Sequence, residues 1–111
     1  MYGTIARLRI KPGMEDQFRQ LLQEQAYPFE SGQVAGFVAS YVYRTDADPN
    51  DFFLAAVFES REAYWANAQR SEQDARYRQW LPLLEGEPEW HDGEIDIMYA
   101  RQGSEQRQVS S

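Results

Sequence analysis

Hydrophobic and polar residues alternate along the start of the chain. Tyr2, Ala6 and Ile10 fall on one side of this alternation, and Arg7 and Arg9 fall on the other. A period of two residues is typical of a strand with one buried face. We therefore predict a first strand over residues 2–10, which ends at a Pro-Gly turn.

The spacing then changes to that of a helix. Met14, Phe18, Leu21 and Leu22 recur at intervals of three or four residues, and acidic residues occupy the first turn. Pro28 disfavours helical geometry in the residue before it, so we predict a helix from Met14 to about residue 27.

Alternation returns over residues 34–44 and predicts a second strand, on which Phe37, Tyr41 and Tyr43 share one face. A polar segment rich in aspartate follows and favours a hairpin loop. Residues 52–58 are predicted to form the third strand, and they are apolar on both faces.

The second half of the chain predicts a helical region and a last strand. Ser60 is positioned to cap the start of residues 61–84, and Ser71 is positioned to cap a second helix within them. The last strand is predicted over residues 89–100, with a bulge or bend near Asp92-Gly93.

These elements follow the order βαββαβ, which predicts one α+β domain of ferredoxin-like topology over residues 1–100. Right-handed crossovers place the first and third strands at the centre of a four-stranded antiparallel sheet, with both helices on one face. A flexible polar tail is predicted over residues 101–111.

The third strand does not fit a sheet that is covered on one side only. A strand in such a sheet should be polar on its exposed face, whereas the third strand is apolar on both faces. Leaving that face in water would forgo several kcal/mol, at about 25 cal/mol per Å² of apolar surface. We therefore expect a second copy of the chain to cover it and form a homodimer.

Composition excludes several classes of function. The net charge of −7 argues against binding to nucleic acid. The sequence contains no cysteine, which excludes disulfides and thiolate chemistry. No apolar run approaches the roughly 20 residues that span a bilayer, and the N-terminus lacks the features of a signal peptide, so we expect a cytoplasmic protein without a membrane partner.

Three segments resemble the antibiotic biosynthesis monooxygenase family of the dimeric α/β-barrel superfamily. They are the turn and helix start at residues 10–18, the Val-Ala-Gly-Phe segment at residues 34–37, and the strand-to-helix junction at residues 58–65. The resemblance implies a homodimer whose sheets face each other and a pocket between each sheet and its helices. Some members of the family oxidise polycyclic phenols with molecular oxygen and use no metal or flavin.

Other members of the superfamily bind or degrade haem. The resemblance implies that haem degradation uses an Asn on the first strand together with a Trp, and a His on the second helix. Here the first strand has no Asn and residues 61–84 contain no His. This departure argues against haem breakdown.

Two arginines on a predicted central strand have alternative interpretations, because a buried guanidinium is costly unless it is paired. Arg7 and Arg9 either bind an anion or phenolate in the pocket, or pair with acidic residues of the last strand such as Glu94 and Asp96.

The aromatic residues also have two interpretations. They belong either to an ordinary core or to the walls of a pocket for a planar aromatic or apolar ligand. The candidate wall residues are Phe37, Tyr64, Trp65, Tyr77 and Trp80.

The first functional hypothesis is a cofactor-independent monooxygenase that oxidises a phenolic, polycyclic or quinol-like substrate. In this hypothesis, Tyr41, Asn67 or His91 transfers the proton. His91 is the sole histidine, so it cannot build a structural metal site, but its ordinary pKa suits a general base. The alternatives are a non-catalytic dimeric binding protein for a small apolar ligand or haem, and a structural dimer with a filled cavity.

Overall fold

The computed structural model describes residues 1–101, in which four strands and four α-helices follow one another along the chain. Residues 102–111 of the predicted tail lie outside the described part. The elements are β1 (Tyr2–Arg9), α1 (Glu15–Glu24), α2 (Tyr27–Glu30), β2 (Phe37–Arg44), β3 (Asp51–Phe58), α3 (Arg61–Ala68), α4 (Ser71–Trp80) and β4 (Glu89–Glu94).

The four strands form one antiparallel sheet in the order β2-β3-β1-β4. This order confirms the predicted α+β ferredoxin-like fold with the first and third strands at the centre. Alternate residues of β1 are buried on the face that carries the helices, which we call the helix face. The opposite face of the sheet is called the outer face.

The hydrophobic core fills one end of the space between the sheet and the helices. Leu8 and Ile10 are fully buried there beside Phe18 of α1. The Phe18 ring lies 5.9 Å from the Phe52 ring and 5.7 Å from the Trp80 ring, both in edge-to-face contacts. Such contacts join α1, α4 and the centre of the sheet into one unit.

The predicted facing of β2 is wrong, because a β-bulge at Val38 interrupts the alternation. Phe37 pairs with Phe58 on the helix face, whereas Tyr41 and Tyr43 lie on the outer face, where their rings stack 6.4 Å apart. The extra residue moves the side chains that follow it to the other face.

The start of β2 also differs from the prediction of residue 34, because the strand begins at Phe37. Gly36 has a φ of +77°, in the left-handed region, and this conformation is incompatible with a strand. Its carbonyl oxygen accepts a hydrogen bond of 2.8 Å from the backbone N–H of Glu59.

The predicted first helix is too long. α1 ends at Glu24, and Pro28 lies in the first turn of the short helix α2. Proline is compatible with a first helical turn because the backbone N–H that it lacks has no intrahelical partner there.

One of the two predicted helix caps is confirmed. The Ser60 hydroxyl accepts a hydrogen bond of 3.1 Å from the backbone N–H of Ala63 at the start of α3. The prediction for Ser71 is wrong, since Ser71 is the first residue of α4 and Arg70 occupies the capping position.

The predicted last strand is also too long, and its predicted bulge is wrong. Asp92 and Gly93 pair in regular register with Thr4 and Gly3, and β4 ends at Glu94. Glu94 already pairs with Tyr2, the first residue of β1, so the sheet offers little partner backbone beyond it.

The outer face carries the apolar second side of β3 that the sequence predicts. Ile5, with 55% of its surface exposed, pairs with Ala55, and Phe53 and Val57 flank Ala55 on the same face. No helix or strand of residues 1–101 covers this face. The homodimer therefore stays a prediction.

We expect Gly36→Ala to destabilise the fold by about 1–3 kcal/mol, because alanine is strained at positive φ. In addition, the new Cβ would lie 2.5 Å from the Ala63 Cβ. Urea unfolding measures the change. Gly86→Ala is the matched control, since a Cβ there meets nothing within 4 Å, and equal destabilisation by the two variants would contradict the prediction.

Candidate functional site

One row of small side chains across the sheet leaves space beneath the helices. Ser40, Ala56, Thr4 and Asp92 are successive partners across the four strands, and we call them the middle row. The rows on either side contain large residues that reach toward the helices. These flanking rows are Val42–Leu54–Ala6–Trp90 and Phe37–Phe58–Tyr2–Glu94.

The space forms a cavity of about 590 Å³ between the helix face and the helices. This volume lies in the range of sites for small organic ligands. Thr4 and Ala56 lie on its floor, and all four helices contribute residues to its lining. The core therefore fills one end of the sheet, and the other end is left with a binding-sized cavity.

A continuous series of aromatic rings forms one wall of the cavity, which we call the first wall. Phe29 of α2 lies 5.0 Å from Phe37, which lies 5.6 Å from Phe58, and Phe58 lies 5.6 Å from Tyr64 of α3. Trp65, 39% exposed, packs 5.2 Å from Tyr64 and also lines the cavity.

A second wall consists of Tyr77, Trp80 and Trp90. The rings of Tyr77 and Trp80 are 5.9 Å apart, and the Trp90 ring lies 6.0 Å from Tyr77. The Trp80 indole donates a hydrogen bond of 3.0 Å to Oε1 of Gln25, the residue that follows α1, and this contact fixes the wall to the end of that helix. Two aromatic walls of this kind suit a planar ligand.

A guanidinium without a carboxylate partner lines this cavity. Arg76 of α4 lies over the Phe29 ring, with its Cζ 4.8 Å from the ring centroid. Within residues 1–101 it makes no ion pair, and its buried Nε has no hydrogen-bond partner. Burial lowers the pKa of Arg76, although an arginine remains charged at neutral pH.

Amide groups hold this guanidinium in place. Arg76 Nη2 donates a hydrogen bond of 2.9 Å to Gln73 Oε1, and the same oxygen accepts one of 3.3 Å from Asn67 Nδ2. Asn67 is buried beside the cavity but does not line it. The predicted candidate Asn67 therefore contacts Gln73, which itself lines the cavity, and its role in proton transfer stays a prediction.

A carboxylate lies where the first wall meets the sheet. The Tyr64 hydroxyl donates a hydrogen bond of 2.7 Å to Asp92 Oδ1. Burial, together with this hydrogen bond, raises the pKa of Tyr64 above its ordinary value, so the phenol stays protonated. The neighbouring Thr4 hydroxyl is buried beside the Tyr64 hydroxyl and makes no hydrogen bond of good geometry among the described residues.

The structure brings together the five predicted wall residues, all of which line the cavity. They are Phe37, Tyr64, Trp65, Tyr77 and Trp80. Their role in substrate binding stays a prediction.

The expectation that Arg7 and Arg9 reach the same pocket is wrong, because both lie on the outer face. Arg7 makes two hydrogen bonds of 2.8 and 2.9 Å to the Asp51 carboxylate, and these lower the pKa of Asp51. Arg9 lies 3.6 Å from Asp48 and 3.8 Å from Glu85. Pairing is therefore confirmed, although with other acids than the predicted ones of the last strand.

Two further predicted residues are also separated from the cavity. Tyr41 lies on the outer face because of the bulge, and His91 lies there as the partner of Ile5 in β1. The His91 side chain is 65% exposed, with its Nε2 3.1 Å from Glu89 Oε1. The positions of Tyr41 and His91 therefore do not support a role for either residue in the chemistry of this cavity.

Arg76 was not predicted as a site residue, although the sequence contains a signal for it. Arg76 precedes Trp80 by four residues, so it shares the apolar stripe of α4, where a cation is unusual. Asp92 and Thr4 gave no such signal, since only the strand register places them together.

Comparison with models of protein families identifies the family of this chain. The model of the antibiotic biosynthesis monooxygenase family matches residues 1–80. The chain belongs to this family. A comparison with curated proteins gave no match.

Solved structures share the fold of this family member at low sequence identity. SnoaB, a cofactor-independent oxygenase from Streptomyces nogalater, is 15% identical with a TM-score of 0.77, and the match covers 90% of this chain and 97% of SnoaB. A conserved protein from Methanosarcina mazei is 14% identical with a TM-score of 0.72, over 83% of this chain and 89% of that protein. These likenesses show the fold alone.

Two classes of feature are absent from the part of this family member that the structure describes. No helix in residues 1–101 combines the length and apolar character needed to cross a membrane. The same residues contain no cluster of three His, Asp or Glu side chains suited to a metal ion. The cytoplasmic location stays a prediction.

We expect Ala56→Leu to weaken binding of naphthol at least about tenfold, because the larger side chain fills the middle of the cavity floor. The free energy of unfolding should change by less than about 1.5 kcal/mol, since the leucine enters open space. Quenching of tryptophan fluorescence measures binding. Ala75→Leu, on the exposed side of α4, is the control, and unchanged binding in Ala56→Leu would contradict the assignment of the cavity.

Proposed function

We propose that this protein is a monooxygenase that oxidises a phenolic or quinol-like polycyclic substrate with molecular oxygen, without a bound metal or flavin. Membership of the antibiotic biosynthesis monooxygenase family supports the class of reaction. The observation that carries the substrate class is an aromatic-walled cavity with a guanidinium, Arg76, that has no acidic partner among the described residues.

The role of Arg76 is to favour the ionised form of the bound phenol. A fixed positive charge in a site of low dielectric lowers the pKa of a nearby hydroxyl group. An electron-rich phenolate can transfer an electron to oxygen directly, so the protein needs only to bind the ring, stabilise the anion and exclude water. The two aromatic walls supply the binding and the exclusion of water.

The reaction balances without a further reductant for a substrate such as an anthrone. The ring methylene loses two hydrogen atoms and becomes a carbonyl group. One atom of molecular oxygen enters that carbonyl, and the other leaves as water with both hydrogens. The substrate thereby supplies all four electrons that reduce the oxygen.

Oxygen uptake with a panel of anthrones, hydroquinones and naphthols tests the proposal. We expect turnover by the protein without added metal or flavin, and a fall of at least about tenfold in kcat/KM for Arg76→Gln, because the anion loses its charge partner. Arg19→Gln is the matched control, since Arg19 lies on α1 outside the cavity lining.

Two outcomes contradict the proposal. The first is the absence of oxygen consumption across the whole panel, which leaves a binding protein for an apolar ligand as the better description. The second is full activity of Arg76→Gln. The haem-binding alternative has little support, because His91 lies on the outer face and gives the cavity of its own subunit no imidazole.

We further propose that the protein acts as a homodimer through its outer face. Ile5, Phe53, Ala55 and Val57 form an apolar patch there, and Tyr43 beside it is 57% exposed. A second sheet packed on this patch would remove it from water. The paired arginines Arg7 and Arg9 would lie near that interface without an unsatisfied charge.

Light scattering at micromolar concentration tests the dimer, and we expect twice the chain mass of 13.0 kDa. Val57→Glu should give the monomer mass, because it places a carboxylate in the apolar patch. Ala75→Glu, on the exposed side of α4, is the control for added charge, and circular dichroism checks the fold of both. A monomeric wild-type protein would contradict the interface.

A further inference from the structure

We propose that the cavity takes an aromatic ligand with two unlike polar ends, an anionic group that pairs with Arg76 and a hydroxyl group that donates a hydrogen bond to Asp92. The inference rests on the proposed function only in placing the ligand in the same cavity. It adds that Asp92 determines which hydroxylated aromatics bind, and in which direction they lie.

The Asp92 end accepts a hydrogen-bond donor. The Tyr64 hydroxyl occupies one carboxylate oxygen, Oδ1, at 2.7 Å, and the other oxygen accepts no side-chain hydrogen bond within residues 1–101. No arginine, lysine or histidine of that part of the chain lies within ion-pair distance of Asp92. An ionised carboxylate only accepts hydrogen bonds, so this end favours a hydroxyl over a second anion.

The buried Thr4 hydroxyl strengthens this assignment. Thr4 pairs with Asp92 in the sheet and lines the cavity, and its oxygen lies beside the Tyr64 hydroxyl without a hydrogen bond of good geometry among the described residues. A buried polar group without a partner is costly. A ligand hydroxyl bound at Asp92 would lie beside a group that can still donate or accept a hydrogen bond.

The Arg76 end has the opposite preference. A guanidinium carries five N–H donors and no acceptor. Of the side chains described, only Gln73 takes one of these donors, and Nε is buried without a partner. An anionic group such as a carboxylate or a phenolate therefore suits this end, since it adds a charge-assisted hydrogen bond.

The length of the first wall separates the two ends. Arg76 lies over Phe29, and the series of rings then passes through Phe37 and Phe58 to Tyr64, which is hydrogen bonded to Asp92. A rigid aromatic ligand that reaches both groups would carry them at opposite ends of its ring system. The favoured ligand class is thus a fused aromatic with a hydroxyl at one edge and an anionic group at the other.

Binding of three matched probes tests this inference without any turnover. The probes are a naphthalene with a hydroxyl on one ring and a carboxylate on the other, the naphthoate that lacks the hydroxyl, and the naphthol that lacks the carboxylate. We expect the two-ended probe to bind the wild-type protein at least about tenfold more tightly than either of the others.

Variants then assign each end. We expect Asp92→Ala to reduce the affinity for the two-ended probe to that for the naphthoate, whose own affinity should change less than about threefold. Arg76→Gln should reduce it to the affinity for the naphthol. Glu94→Ala is the matched control, because Glu94 follows Asp92 on the same face of β4 but lies outside the cavity lining.

Tyr64→Phe keeps the test decisive where Asp92→Ala does not fold. It removes the donor that occupies Asp92 Oδ1 and retains the ring, so the preference for the hydroxylated probe should persist or increase. Loss of that preference in Tyr64→Phe overturns the role of Asp92, as do equal affinities of the wild-type protein for all three probes.

The outcomes also separate this inference from the proposed function. The expected binding pattern without oxygen uptake on any substrate retains the two-ended site and contradicts the monooxygenase. Oxygen uptake with no dependence of binding on the probe hydroxyl retains the monooxygenase and contradicts the two-ended site.

Discussion

The small side chains of the middle row are the constraint on which the site depends. Ala56 and Thr4 lie at the centre of the sheet, between rows whose large residues hold the helices away from it. A well-packed domain normally fills such space, because each unfilled volume loses dispersion contacts. Here the unfilled volume lies at one end of the sheet, and the core residues around Phe18 pack the other end closely. The fold thus combines a closely packed end with an end that holds the cavity.

The arginines of this acidic protein divide according to whether a carboxylate satisfies them. Arg7 on the outer face holds Asp51 with two hydrogen bonds, and that pairing makes its charge unavailable to a ligand. Arg76 is held only by an amide oxygen and an aromatic ring. Neutral contacts fix the position of a guanidinium without neutralising it, and this leaves its charge free to attract an anion. Arg7 and Arg76 therefore differ in their hydrogen-bond partners, although they are the same type of residue.

The periodicity of the sequence was sufficient to predict the element order, the central strands and the apolar outer face of β3, because each depends on local alternation. The facing of Tyr41 was not predictable in this way, since one bulged residue changes the face of everything after it and leaves the composition unchanged. The wall residues were predictable as aromatics at helical spacing, as with Tyr77 and Trp80. Asp92 was not, because its proximity to Tyr64 follows from the register of β4 with β1.

The bulge at Val38 has a consequence for how the empty volume is encoded. With regular alternation from Phe37 onward, Tyr41 would face the helices opposite Leu54, and Tyr43 would do so opposite Phe52. A single inserted residue therefore keeps two phenols off the face of the sheet that holds the cavity. Deletion of one residue at this position would turn the side chains of Tyr41 and Tyr43 toward the helices, with no change in the order of the strands.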